Sequence, residues 1–98
     1  MAIPDFQSIM LPFLKFLKDR TEKSNKEIHD ELAEFFKLSQ DEINQLLPSG
    51  TQRIFYNRVA WAKLFLKRAL LIDSLKKGYS IITKRGNDAL KKISIKSI

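Results

Sequence analysis

The 98 residues contain no cysteine, one histidine, one tryptophan, three glycines and three prolines. Without cysteine there are no disulfides and no thiolate metal ligands, which fits a reducing compartment. A lone His29 does not build a zinc site. With no acid and nucleophile arranged around it, neither catalysis nor a cofactor is expected of this chain. No stretch reaches the roughly 18 apolar residues that a membrane span needs. The opening MAIPDFQSIMLPFLKFL has the apolar look of a signal peptide, but it lacks an early Lys or Arg, carries Asp5, and is broken at Pro12 and Lys15. It reads as a mature cytoplasmic start.

Acidic residues are scarce in one half only. Residues 1–50 hold six Lys or Arg and nine Asp or Glu, whereas residues 51–98 hold twelve and two, together giving the net charge of +7. The segment SGTQRIFYNRVAWAKLFLKRALLI, residues 49–72, has five cations and no acid. Such asymmetry points to a polyanionic partner on one side of the molecule, or else to a solubility device. With 44% hydrophobic and 30% charged residues, the chain has the composition of one folded domain with a modest core. The domain is expected over 1–92, with 93–98 as a tail or linker.

Local signals order the elements. Asp5 caps a helix over 6–18, whose apolar stripe is Ile9, Phe13 and Phe16 or Leu17; Pro12 either kinks it or starts a new turn. Residues 19–24 form a polar connector with room for one short extended segment. Ser24 and Glu27 make a capping box for a helix over 25–37, with Ile28, Leu32, Phe35 and Phe36 on its buried face and His29 at the edge. Ser39 and Glu42 repeat the signal for a helix through Leu46, with Ile43 and Leu46 inward. A Pro-Ser-Gly turn precedes a basic helix over 52–70, in which Phe55, Val59, Ala62, Leu66 and Ala69 repeat at helical spacing. A hairpin follows, with strands at 71–72 and 79–82 and Lys76 and Lys77 at its tip; either Tyr79 and Ile81 or Ser80 and Ile82 face inward. Thr83 caps a last helix over 84–92, with Ala89 and Leu90 inward, and Gly86 marks close packing or a tight turn near its start. Mainly α with a small β-hairpin, this is the order of a winged helix-turn-helix, whose third helix enters a major groove while the hairpin follows the backbone.

Three stretches carry a family likeness: PDFQSIMLPFLKFL at 4–17, LPSGTQRIFYNRVAWAKLFLKRALL at 47–71, and KKGYSIITKRG at 76–86. Across nearly its whole length the chain resembles the N-terminal domain of Mrr-type restriction endonucleases. The most specific part is N-R-V-x-W-A on a helix after L-P-S-G. The resemblance implies a DNA-recognition module that precedes a separate nuclease domain of the PD-(D/E)xK type, in enzymes acting on foreign or modified, often methylated, DNA. Leu70 stands where that family often has Gly, Ser80 where it has a larger residue, and Leu75 where it has Pro. Pro4-Asp5 is a helix entry rather than a catalytic motif, because no E-x-K or Q-x-K follows on a strand.

The candidate double-stranded DNA contacts follow. Gln52, Arg53, Tyr56 and Asn57 occupy the first turns of the basic helix. There Arg can bridge guanine O6 and N7, and Asn or Gln can bridge adenine N6 and N7. Thr51, with Ser49 and Gly50, offers free N–H groups at the helix start. Lys63, Lys67, Lys76, Lys77, Lys84 and Arg85 are expected to neutralise phosphates. Gln52, Arg53, Tyr56 and Asn57 each have an alternative as a solvated surface residue, and Ser49, Gly50 and Thr51 as an ordinary turn and cap. Arg58, nearer the core, is expected either to pair with an acid of the second helix or to touch DNA. Trp61 and Leu64 lie off the core line. They are expected to pack beneath the hairpin or against the first helix, or else to form an interface with a sister copy or a nuclease domain. A protein-interaction winged helix and a standalone transcriptional regulator are the competing functions.

Overall fold

Asp5 opens the first helix as expected: the Ser8 N–H donates to its carboxylate at 2.7 Å, and this bond holds the carboxyl below its usual pKa. In the computed structural model, which describes residues 3–18 and 22–96, α1 covers Phe6–Phe16. Pro12 sits inside it without starting a new turn. Ile9, Phe13, Leu14 and, just beyond the helix, Leu17 are buried. Part of the polar connector, residues 19–21, lies outside the described residues; Lys23–Ser24 is extended and forms β1.

Both capping boxes close reciprocally. The Glu27 N–H donates to Ser24 Oγ at 3.1 Å while Glu27 Oε1 accepts the Ser24 N–H, starting α2, Asn25–Phe35. Ser39 and Glu42 do the same for α3, Gln40–Asn44. Ile28 and Leu32 are buried, but Phe35, expected beside them, is 55% exposed. Helix α1 has ended at Phe16, so Phe35 meets that ring edge-on at 6.0 Å between centroids and its neighbour Phe36 at 5.0 Å. Leu46 is also a correction. It is 51% exposed rather than inward, because its backbone leaves the helix to form an antiparallel bridge with Arg53 that closes the 47–52 turn.

The basic helix α4 spans Ile54–Arg68, two residues shorter than expected at each end. Phe55, Val59, Ala62 and Leu66 are buried along one face. Ala69 is exposed because the helix has already stopped: Leu70 adopts a left-handed φ of 63°, and the Leu71 N–H donates back to the Leu66 carbonyl at 3.0 Å. A glycine would hold that conformation without steric cost, so Leu70 is a strained departure from the usual cap.

Strands β2, Ile72–Asp73, and β3, Tyr79–Ile82, pair antiparallel with Ile72 opposite Ile82. On the other edge of β3, Lys23 of β1 lies opposite Ser80, giving the order β1-β3-β2. Ser80 and Ile82 are the inward pair. Thr83 Oγ1 then accepts the Gly86 N–H at 3.0 Å and donates to the Leu70 carbonyl at 2.7 Å, so one hydroxyl opens α5, Lys84–Lys96, and anchors it to the end of α4. A Cβ on Gly86 would collide with the Leu71 carbonyl oxygen and approach Ile82 Cγ1 to 2.7 Å. The glycine is there for close packing. Helix α5 continues through residues 93–96 of the segment drawn as a tail, and residues 97–98 lie outside the described ones. The core gathers α1, α2, α4 and the inner side of the sheet, the arrangement of a winged helix-turn-helix with α3 inserted before the third core helix.

Candidate nucleic-acid interface

The start of α4 is bound by its own side chains. Arg53 occupies the N-cap position without a side-chain cap. Its guanidinium instead donates to the Tyr56 hydroxyl at 3.0 Å, with Cζ 5.0 Å from the ring centroid. His29 of α2 stacks flat on the same ring, 4.0 Å between centroids and 4° between planes. Burial there lowers the His29 pKa, so the imidazole favours its neutral form. Asn57 Nδ2, one turn into the helix, donates at 3.2 Å to Oε1 of Gln52, the residue before Arg53. Ser49 and Thr51 hydroxyls lie 3.0 Å apart in the preceding turn.

Further along, Lys63 reaches across to α2 and donates to Asn25 Oδ1 at 3.1 Å. Partial burial lowers its pKa, and the neighbouring Lys67 charge adds to the shift. The Asn25 N–H in turn donates to the Gly78 carbonyl at 2.8 Å, and Gly78 holds a φ of 83° at the tip of the hairpin. Asn25 therefore joins α4, α2 and the hairpin at one point. Between α2 and α4 lies a hollow of about 370 Å³, with Asn25, Gln52 and Lys63 supplying polar groups and Tyr56, Val59 and Ala60 apolar ones.

The hairpin tip is cationic and ordered. Lys76 lies 4.2 Å from the Tyr79 ring centroid and 3.5 Å from Glu22, and the Ser74 hydroxyl donates to the Tyr79 carbonyl at 2.8 Å. A half-exposed pair like Lys76–Glu22 is worth about 1 kcal/mol at most. Among the described residues, Lys76 alone of the candidate cations is in an ion pair with an acid; Glu31 and Asp30 pair instead with Lys23 and Lys26. Lys67 and Lys77 are exposed.

Residues 6–92 match the Mrr N-terminal domain. The chain belongs to that family. A curated relative, the type IV methyl-directed restriction enzyme EcoKMrr of Escherichia coli strain K12, is 30% identical over 89 residues, which are 90% of this chain and 29% of the enzyme. The chain thus spans under a third of that relative, and the Mrr N-terminal domain is the non-catalytic part of a restriction enzyme. Membership associates the chain with restriction systems. No solved structure matches it.

In this Mrr domain not every candidate residue gathers at one place. Lys84 and Arg85 sit at the base of the hairpin, where they line a separate hollow of about 610 Å³ with Leu71, Asp88 and Lys92. Arg58, expected to pair with an acid of α2 or to touch DNA, donates instead to the Ile3 carbonyl at 2.7 Å and the Pro4 carbonyl at 3.3 Å. It is a strut for the segment leading into α1. Trp61 does not pack away. It is 46% exposed, because Phe65 takes the place against α1 by stacking on Phe6 with centroids 5.0 Å apart. Leu64 is half-buried.

Sequence reasoning placed His29 at the edge of the second helix's buried face but did not single out Asn25, which meets Lys63 and the hairpin. Asn25 carried a usable signal, since it directly follows a capping serine and so begins a helix. Among the described residues no cluster of His, Cys, Asp or Glu suits a metal ion, and no helix is long and apolar enough to cross a membrane.

Proposed function

We propose that this Mrr N-terminal domain recognises double-stranded DNA for a cytoplasmic restriction endonuclease that acts on foreign or methylated DNA, the cleavage being performed by a separate nuclease domain. The observation that carries the reading is that, among the described residues, the candidate cations of α4 and the wing other than Lys76 are in no ion pair with an acid, with the Asn25–Lys63–Gly78 junction tying helix to wing. Gln52, Arg53, Tyr56 and Asn57 are the base readers. Thr51 lies at the helix entry, and Lys63, Lys67, Lys76, Lys77, Lys84 and Arg85 neutralise phosphates.

The test is duplex binding measured over a series of salt concentrations. If about six cations engage phosphates, the log–log slope approaches about −5. Absent or salt-indifferent binding would discard the reading in favour of a protein-interaction winged helix. That second reading has its own observation: Trp61 and Phe65 are 46% and 38% exposed on one flank of α4. Together with Leu64 they offer a surface for a nuclease domain or a sister copy.

A further inference from the structure

Two exposed aromatic patches of opposite charge lie at the two ends of α1. At its C-terminal end Phe16 meets Phe35, which is 55% exposed, and these rings line a hollow of about 260 Å³ with Glu31 and Glu34. Small-molecule sites run to about 300–1,000 Å³, so this notch suits a single inserted side chain. Glu31 is held by Lys23 at 3.0 Å, whereas the exposed Glu34 is, among the described residues, in no ion pair. At the N-terminal end of α1, Phe6 stacks on Phe65, and Trp61 stands beside that pair with its ring 6.3 Å from Phe65. Arg68 continues this ridge seven residues beyond Trp61; it is exposed and, among the described residues, likewise in no ion pair.

One copy does not bring its own patches together, because Phe6 and Phe16 are held about 15 Å apart at 1.5 Å of rise per residue. Two copies could join in three ways. Ridge against ridge would face two α4 helices that each carry Arg58, Lys63, Lys67 and Arg68 and no acid. Notch against notch would bring Glu34 against Glu34. Like charges set face to face are costly, and only ridge against notch puts Arg68 beside Glu34 while burying aromatic surface on both sides. We propose that Trp61 of one copy enters the Phe16–Phe35 notch of a second copy of this chain, so that the domains associate head to tail. Because the two patches differ, the contact is heterologous and need not stop at two copies. It does not depend on DNA recognition.

Contacts this small are transient. Sedimentation equilibrium in nucleic-acid-free buffer is therefore followed from about 1 μM to about 1 mM protein. The average mass should climb from the 11.4 kDa of one chain past that of a dimer. Trp61→Ser, lacking the ridge anchor, and Phe35→Ser, lacking the notch wall, should each stay monomeric, yet an equimolar mixture should form one-to-one pairs and stop there. A second set keeps every aromatic: Glu34→Arg and Arg68→Glu should each stay monomeric alone and associate when mixed. Circular dichroism checks that all four variants fold. A wild-type chain that is monomeric throughout the range overturns the inference. So does a mixture that stays monomeric in both sets, or single variants that associate as the wild type does.

Discussion

Along one flank of α4, Arg58 donates to the carbonyls of Ile3 and Pro4, and Phe65 stacks on Phe6. Along the other, Lys63 meets only the side-chain amide of Asn25, and Arg53 a tyrosine hydroxyl. Both flanks carry a cation, yet Arg58 is consumed by the fold whereas Lys63 and Arg53 are held by neutral groups that leave their charge uncompensated. A neutral partner orients a cation without cancelling its field, so the second flank stays available to a polyanion. The difference between them lies in what each partner does to the charge, which counting basic residues does not reveal.

Substitutions on and around α4 break or sharpen that contrast. The largest effect is expected from Gly86→Ala, which removes the close packing of α5 on the end of α4 and so loosens the frame of both flanks; chemical denaturation should show a loss of about 3 kcal/mol. Arg58→Met should cost about 2 kcal/mol of stability through the lost charge-assisted bonds, with the salt slope of DNA binding unaltered. A parallel fall in that slope would place Arg58 on the wrong flank. Asn57→Ala is expected to spare stability but weaken a preferred duplex by about 1–3 kcal/mol and blur the sequence preference, measured by competition against scrambled duplexes. Leu70→Gly should relieve the left-handed cap and raise stability by about 1 kcal/mol, with both flanks functioning as before. The smallest change is that of Lys77→Ala, which lowers affinity for all duplexes alike and flattens the salt slope by about one.

Much of this frame was legible in the residues. The two S-x-x-E boxes fixed the starts of α2 and α3, and the buried face of α4 from Phe55 to Leu66 followed from spacing alone. The strand Tyr79–Ile82 fell where β-branched and aromatic residues cluster, but which face was inward depended on the pairing of Ser80 with Lys23, a partner far away in sequence. The errors share that cause. Arg58 bonds to backbone carbonyls, which every residue possesses and no sequence pattern advertises. Trp61 is displaced by Phe65 because Phe6 happens to sit beside the latter, and Phe35 outlasts the helix it was to pack on. At the candidate interface, residue types drew attention to the amides and cations. That Asn25 and His29, arriving from another helix, come to lie beside them was visible only when the elements were assembled.

The strand order has a consequence for how the chain matures during synthesis. Because β3 lies between β2 and the early strand at Lys23–Ser24, the sheet cannot close until Ser80 has left the ribosome, even though helices from the acidic half can already form as they emerge. The sheet thus joins the late wing to the early strand as one of the last steps, after α4 and the helices it packs on have been made.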